Sequence, residues 1–277
     1  MKKDFILKTK KDNILRISTF DNNENKMSPC LIYVHGFKGF KDWGFIPYVG
    51  DYFSTRGFFV ITFNFSHNGV GESLTEFNEL EKFAKNTVSL EVEELTEIID
   101  AYTAGFFCER QNQKIGIIGH SRGGDVSIVT ASQRKSVDAV AVWASISNFD
   151  RYTHKQKASW QKKGFSEVLN SRTNQMMKLN LDLLKDIEKN KDDKLNIEKS
   201  VKNFNKPLFI AHGDQDASVP FSEAKELYNW SDKELTHFLE IPGTGHTFDM
   251  VHPFERSNPK FEMLLEETNS FFNKYLN

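Results

Sequence analysis

Gly119-His120-Ser121-Arg122-Gly123-Gly124 is the stretch that decides the fold of this 277-residue chain. It follows residues 114–118, a short apolar run rich in β-branched side chains, and precedes residues 125–131, which can continue as a helix. This pattern predicts a tight strand-to-helix turn, because bulky side chains at positions 119 and 123 would collide with the neighbouring strand or helix. The turn strains the backbone of Ser121 and presents its hydroxyl at a helix N-terminus, where unpaired N–H groups favour negative charge. Ser121 is therefore the candidate nucleophile.

The bulk composition shows no strong charge bias. The formal net charge is −2, which favours neither nucleic acid nor an anionic membrane as a partner. Cys30 and Cys108 lack the spacing of a metal or redox motif, and they predict free thiols in a reducing cytoplasm. The N-terminal residues lack the apolar stretch of a signal peptide, and no segment approaches the length of a membrane span. We expect a cytoplasmic protein without a nucleic-acid or membrane partner. The sequence leaves homo-oligomer formation open.

Apolar runs alternate with amphipathic segments along most of the chain. Strands are predicted at residues 4–9, 13–19, 30–34, 58–63, 114–118, 137–144, 207–211 and 236–241, and helices at residues 46–55, 87–103, 125–131 and 260–275. The first two strands form a hairpin. The alternation that follows predicts an α/β fold, with a mostly parallel central sheet covered by helices on both faces.

Residues 147–205 interrupt this alternation. The segment is highly charged and carries no buried-strand run, whereas ordinary connections in such folds have about 2–6 residues. We expect residues 1–146 and 206–277 to form one core, and the inserted segment to form a cap over the site.

Within the predicted cap, residues 164–169 and 174–179 flank a polar turn at residues 170–173. This pattern predicts a β-hairpin followed by one or two helices. Trp160 and Phe165, with two neighbouring methionines, argue against a disordered linker, because disordered segments lack such side chains.

A serine hydroxyl needs a general base within hydrogen-bond reach and an acid that orients this base. His246 follows the last predicted strand and lies between turn residues, which suits a base, with His252 as the alternative. Asp214 and Asp216 follow the strand before it, and Asp150 follows an earlier strand. Ligands bind at the carboxyl ends of parallel strands. Spacing alone does not choose among the three carboxylates.

Attack on a carbonyl also needs two N–H groups that hold the developing oxyanion. The sequence predicts one from Arg122, which follows the nucleophile, and one from Phe37 in the loop His35-Gly36-Phe37-Lys38-Gly39. The glycines of this loop allow the backbone to approach a substrate closely. We expect His35 to brace the loop rather than to take part in catalysis.

Four motifs in this order resemble the α/β-hydrolase superfamily: His35-Gly36-Phe37, Gly119-His120-Ser121-Arg122-Gly123-Gly124, His212-Gly213-x-x-Asp216-x-x-Val219-Pro220 and Gly245-His246-x-Phe248. The resemblance runs from about Leu31 to the C-terminus. It implies the α/β-hydrolase fold, with Asp216 rather than Asp214 as the acid. Residues 64–73 look like the glycine-rich loop of the superfamily, but the usual Arg-Gly-His-Gly is replaced. His67 therefore either faces the substrate or braces this loop.

Within the superfamily, the chain is similar to bacterial carboxylesterases related to cinnamoyl (feruloyl) esterases and to dienelactone-hydrolase-like proteins. Dienelactone hydrolases proper use a cysteine nucleophile, from which Ser121 departs. The resemblance implies hydrolysis of a small-molecule carboxylic ester through an acyl-enzyme, with no metal and no cofactor. Trp160 and Phe165 of the cap suggest contact with an apolar or aromatic acyl group.

Three alternatives remain open at this point. A thioesterase would use the same acyl-enzyme chemistry. A peptidase would resemble the prolyl oligopeptidase group, which usually carries a large N-terminal domain that we do not expect here. A non-catalytic small-molecule-binding protein would need the pocket but not the complete set of Ser121, Asp216 and His246.

Overall fold

A computed structural model of the chain describes residues 1–22, 28–73, 75–108, 114–170 and 173–277. The strands in these ranges are β1 (Lys2–Lys8), β2 (Ile14–Phe20), β3 (Cys30–Val34), β4 (Phe59–Asn64), β5 (Ile115–His120), β6 (Ala139–Trp143), β7 (Phe165–Asn170), β8 (Gln175–Asn180), β9 (Leu208–Gly213) and β10 (Thr236–Ile241). The helices are α1 (Ile46–Ser54), α2 (Leu80–Ala84), α3 (Val88–Thr103), α4 (Arg122–Gln133), α5 (His154–Lys163), α6 (Leu181–Asn190), α7 (Ile197–Lys202), α8 (Phe221–Trp230) and α9 (Pro259–Leu276).

Eight of the strands form one sheet in the order β1-β2-β4-β3-β5-β6-β9-β10. The strands β1 and β2 are antiparallel, and β2 also pairs antiparallel with β4. From β4 to β10 every pairing is parallel. All residues of β3, β4, β5, β6 and β9 are buried, as expected for a parallel sheet covered on both faces. The predicted α/β architecture is confirmed.

The helices begin where the sequence supplies capping side chains. The Thr87 hydroxyl accepts a hydrogen bond from the Leu90 N–H at 3.2 Å and starts α3. The Asn258 side chain accepts from the Lys260 and Phe261 N–H groups and starts α9. Pro259, the first helical residue, has no N–H and therefore needs no acceptor. Each cap satisfies amide groups that a helix start otherwise leaves unpaired.

The segment between β6 and β9 contains the predicted hairpin. Strands β7 and β8 pair antiparallel, with Val168 opposite Met177, and α6 and α7 follow. Residues 171 and 172 of the predicted turn lie outside the described residues. Helix α7 packs against α4 and α8, so the end of the inserted segment contacts the core. The boundary of the cap at 147–205 stays a prediction.

Helices α2, α5 and α8 were not predicted from the sequence. Helix α5 begins at a capping box in which Thr153 and Gln156 bond each other's backbone N–H groups, and it ends at Gly164 with φ of 80°. Both signals are present in the sequence. The helix nevertheless lacks an apolar periodicity, because it is highly charged and buries only Trp160.

Candidate active site

Ser121 lies at the turn between β5 and α4, at the carboxyl edge of the sheet. Its backbone has φ of 55° and ψ of −129°, a conformation that non-glycine residues rarely adopt. The Ser121 N–H donates to the Trp143 carbonyl at 2.9 Å, and the Gly124 N–H donates to the Ser121 carbonyl at 2.9 Å. These bonds fix the strained residue between β6 and the first turn of α4. The structure thus has the turn geometry that the sequence predicts.

The glycines around Ser121 are required by close backbone contacts. A Cβ on Gly119 would lie 2.5 Å from the Gly123 carbonyl oxygen, and a Cβ on Gly123 would lie 2.4 Å from the Val34 carbonyl oxygen. A Cβ on Gly36 would lie 2.8 Å from Ser121 Cβ. The loop after β3, which contains the predicted oxyanion donor Phe37, therefore lies directly against the serine.

Asp216 and His246 form a hydrogen-bonded pair beside this turn. His246 Nδ1 lies 2.7 Å from Asp216 Oδ2, and the Ser218 and Val219 N–H groups donate to Asp216 Oδ1 at 2.8 Å each. Burial raises the pKa of Asp216, but the hydrogen bonds from His212, His246 and Val219 outweigh it and hold the pKa well below its usual range. The buried carboxylate is therefore ionised and orients His246 through Nδ1.

The other candidate acids and the alternative base have different partners. Asp214 accepts a backbone N–H from the turn after β10 at 2.6 Å, which is a turn-stabilising role. Asp150 accepts from the Lys157 ammonium at 2.6 Å. His252 Nδ1 accepts a backbone N–H from the segment before α1 at 2.8 Å. None of the three lines the cavity that contains Ser121 among the described residues.

Ser121 and His246 line the same cavity. No hydrogen bond joins their side chains in the described part of the chain. Such bonds are often long before substrate binds and tighten in the complex.

His120 holds the backbone of His246, a role that was not predicted from the sequence. Its Nε2–H donates to the His246 carbonyl at 2.9 Å, and the two ring centroids are 4.9 Å apart. Burial and the neighbouring His246 lower the pKa of His120 to about 3, so it remains a neutral donor. The sequence signal for this role is the position of His120 directly before Ser121 in the glycine-rich motif.

His35 braces the loop after β3, as expected. Its Nδ1–H donates to the Gly36 carbonyl at 2.9 Å, and its Nε2 accepts the Phe65 N–H at 3.3 Å. Burial lowers the pKa of His35 to about 4. The neutral ring therefore links this loop to the loop after β4.

The cavity has a volume of about 510 Å³, within the usual range for small-molecule sites. Its described charged walls are all cationic, from Lys38, Arg122 and Arg151, and no aspartate or glutamate lines it among the described residues. Most of the other walls are apolar or aromatic, from Tyr33, Phe37, Trp43, Ile46, Val88, Ile146, Phe149, Tyr152, Leu183 and Ile187.

Trp160, Phe165 and His67 do not line this cavity among its described residues. Trp160 is 2 % exposed and its Nε1–H donates to the Leu179 carbonyl at 3.0 Å, so it packs the interior of the inserted segment. This position does not support the predicted contact of Trp160 with the substrate. The Phe165 ring lies under the Lys178 ammonium at 5.0 Å. From the inserted segment, the side chains on the cavity are instead those of Phe149, Arg151, Tyr152, Leu183 and Ile187.

His67 belongs to a buried polar group on the loop after β4. Its Nδ1 lies 2.6 Å from Ser66 Oγ. The Ser66 N–H donates to Glu94 Oε2 at 2.9 Å, and the Ser66 hydroxyl also contacts Glu94. Burial raises the pKa of Glu94 to about 7, although hydrogen bonds from Ser66 lower it. The position of His67 fits a brace for this loop.

Two further properties of the described residues concern metals and membranes. No group of three His, Cys, Asp or Glu side chains in these ranges is placed to share a metal ion. The helices in these ranges are also too short or too polar to cross a bilayer.

Comparisons with known proteins agree with the observed fold. The prolyl oligopeptidase family matches residues 45–277. Similar solved structures include Est1E from Butyrivibrio proteoclasticus with ferulic acid bound (17 % identity, 98 % of both chains, TM-score 0.75). They also include a dienelactone hydrolase from Anabaena variabilis (13 % identity, 100 % of this chain and 99 % of that chain, TM-score 0.66). The esterase domain of a Rhodothermus marinus protein is similar at 15 % identity over 100 % of both chains, with a TM-score of 0.67. Comparison with curated proteins gives no match. The α/β-hydrolase fold is confirmed.

Glu94→Gln should remove a pH-dependent loss of stability. The folded-state pKa of about 7 exceeds the ordinary value of 4.5, so this carboxyl stabilises the fold below pH 4.5 and loses that stabilisation as the pH rises through 7. Glutamine imitates the protonated carboxyl. Between pH 5 and pH 8, the free energy of unfolding of the unmodified protein should fall by about 2 kcal/mol more than that of the variant. Urea unfolding at both pH values measures this, with Glu93→Gln on the exposed side of α3 as control. Equal pH dependence in the unmodified protein and Glu94→Gln would contradict the expectation.

Proposed function

Because this chain belongs to the prolyl oligopeptidase family, we propose that it is a serine hydrolase with Ser121 as nucleophile, His246 as general base and Asp216 as orienting acid. The observation that carries the proposal is the position of a strained serine at the end of β5, in one cavity with His246, whose Nδ1 is hydrogen-bonded to Asp216 behind the cavity wall. A histidine oriented through Nδ1 by a buried carboxylate has its Nε2 available to accept a proton.

The proposed reaction proceeds through an acyl-enzyme. His246 Nε2 removes the proton from Ser121 Oγ while the oxygen attacks the ester carbonyl carbon. The backbone N–H groups of Phe37 and Arg122 stabilise the resulting oxyanion. The protonated His246, stabilised by Asp216, gives its proton to the departing alkoxide. His246 then takes a proton from water as the water oxygen attacks the acyl carbon. The bond to Ser121 Oγ breaks, His246 returns the proton to this oxygen, and the acid is released.

The cavity favours a neutral or anionic acyl group of apolar or aromatic character. Its described walls combine aliphatic and aromatic side chains with Lys38, Arg122 and Arg151, and no described carboxylate faces them. A substrate with an ammonium group near the carbonyl would therefore meet charges of its own sign. Est1E, similar in structure, was solved with ferulic acid, an aromatic acid. We propose carboxylic esters of this kind as substrates.

Peptide bond cleavage is the second candidate function, and the match to the prolyl oligopeptidase family favours it. The same Ser121 chemistry would serve an amide if His246 protonated the departing amine. The cationic walls argue against peptides whose free N-terminus would enter the cavity. A non-catalytic binding protein would not need the Asp216–His246 pair. A cytoplasmic location, a small-molecule ester substrate without a nucleic-acid or membrane partner, and a homo-oligomer as an open alternative remain predictions.

Ser121→Ala should abolish both covalent labelling and hydrolysis. A fluorophosphonate probe phosphonylates an activated serine, and the alanine variant has no oxygen to react. Hydrolysis of a p-nitrophenyl ester should fall at least about 10³-fold. Ser132→Ala, a substitution on the same helix α4, is the matched control and should retain both properties. Absence of labelling in the unmodified, folded protein would refute the serine hydrolase mechanism.

The cavity charges predict discrimination by substrate charge. The p-nitrophenyl ester of 3-phenylpropanoic acid should have a higher kcat/KM than the p-nitrophenyl ester of phenylalanine. The two esters differ only in the ammonium group of phenylalanine. We expect a difference of about tenfold after correction for the uncatalysed rates. N-acetylation of the phenylalanine ester should restore the rate, and Arg151→Gln should reduce the discrimination. Equal kcat/KM values for the ammonium and N-acetyl esters would contradict this account.

A further inference from the structure

The two proposed oxyanion donors belong to different loops. The Phe37 N–H lies in the loop after β3, and the Arg122 N–H lies at the start of α4. Their separation therefore depends on contacts between these two segments. Preorganised donors stabilise a developing oxyanion only when both are at the correct distance.

The side chains of the same two residues contact each other. Arg122 Cζ lies 4.5 Å from the centroid of the Phe37 ring, which is a cation–π contact. The Phe37 ring also stacks on Phe83 of α2, with ring centroids 5.5 Å apart and an interplanar angle of 29°. The aromatic ring of one donor residue is thus held by the guanidinium of the other donor residue and by a helix outside both loops.

A buried carboxylate fixes the guanidinium in this position. Arg122 donates to Glu91 Oε1 of α3 at 2.5 Å, and the Asn86 side-chain amide donates to the same oxygen at 2.7 Å. Glu91 is 3 % exposed. Loss of the arginine would leave this carboxylate buried without its cation, so the pair strongly prefers the observed geometry.

We propose that the Arg122 side chain is a positioning residue for the oxyanion hole. The contact of Arg122 with Phe37, anchored on Glu91, sets the separation of the two backbone N–H groups. For an uncharged ester, it therefore governs transition-state stabilisation rather than the affinity for substrate. This inference rests on the proposed function, because it assigns a role within the same reaction.

The test separates kcat from KM in variants that retain both backbone N–H groups. Arg122→Met should lower kcat for a p-nitrophenyl ester by about 10- to 100-fold, with KM within about twofold of the unmodified enzyme. Binding of a boronic acid that mimics the tetrahedral intermediate should weaken by the same factor as kcat. Arg122→Lys keeps a charge for Glu91 but lacks the planar group that stacks on the Phe37 ring. Its kcat should therefore lie between that of the unmodified enzyme and that of Arg122→Met.

Phe37→Leu removes the ring and keeps the N–H. If both side chains act through one contact, the double variant Arg122→Met/Phe37→Leu should lose little more kcat than the stronger single variant. Arg134→Met is the matched control, because Arg134 pairs with Asp100 across the same α4–α3 interface, with 34 % and 41 % side-chain exposure. It should retain kcat, KM and boronic acid affinity.

Two results would overturn the proposal. One is a folded Arg122→Met enzyme whose kcat stays within twofold of the unmodified value. The other is a loss confined to KM, which would make Arg122 a substrate-binding residue. If Arg122→Met does not fold, Glu91→Gln and Phe37→Leu replace it, and the same loss of kcat at unchanged KM is required of them. A failure of the proposed function is distinguishable, since the unmodified protein would then resist fluorophosphonate labelling.

Discussion

The strained backbone of Ser121 is the constraint on which the rest of the site depends. A non-glycine residue at φ of 55° costs about 1–3 kcal/mol and persists only when its surroundings fix it. Here β5 is paired on both sides, with β3 and β6, and the adjoining glycines admit no side chain. The sheet therefore holds the hydroxyl above its carboxyl edge. The same packing brings the loop after β3 against the serine, so the proposed nucleophile and the proposed oxyanion donors are positioned by the same contacts.

Two sets of polar and charged groups fix the geometry of the site, one behind His246 and one around the cavity. Behind His246, the ionised Asp216 orients the imidazole through Nδ1, and the neutral His120 holds the backbone carbonyl of His246. Around the cavity, Arg122 and Arg151 are paired with carboxylates outside its lining, on α3 and α8 respectively. These ion pairs hold both guanidinium groups in fixed orientations at the cavity wall. Under the proposed function, this arrangement would combine selectivity against ammonium groups with a rigid cavity wall.

Local sequence signals were sufficient for the sheet and the triad candidates. Strands β3, β5 and β6 are continuous apolar runs, and their order and the turn chemistry placed Ser121 and His246 at one edge. The hairpin of β7 and β8 was also readable from its flanking turn. The position of Trp160 could not be predicted, because it depends on how α5 packs against the hairpin, which directs the Trp160 ring towards Leu179.

The Arg122–Glu91 pair spans 31 residues, and nothing in local spacing specifies such a contact. Helix α8 had a readable apolar spacing at Phe221, Ala224 and Leu227.

A crystal structure of the protein after reaction with a phosphonate ester tests the central claim most directly. The account predicts phosphorus bonded to Ser121 Oγ, with the phosphoryl oxygen about 2.7–3.1 Å from the Phe37 and Arg122 backbone nitrogens. It also predicts His246 Nε2 within hydrogen-bond distance of an oxygen on phosphorus, and Ser121 with positive φ. An adduct on another residue, or a phosphoryl oxygen directed away from both nitrogens, would contradict the account.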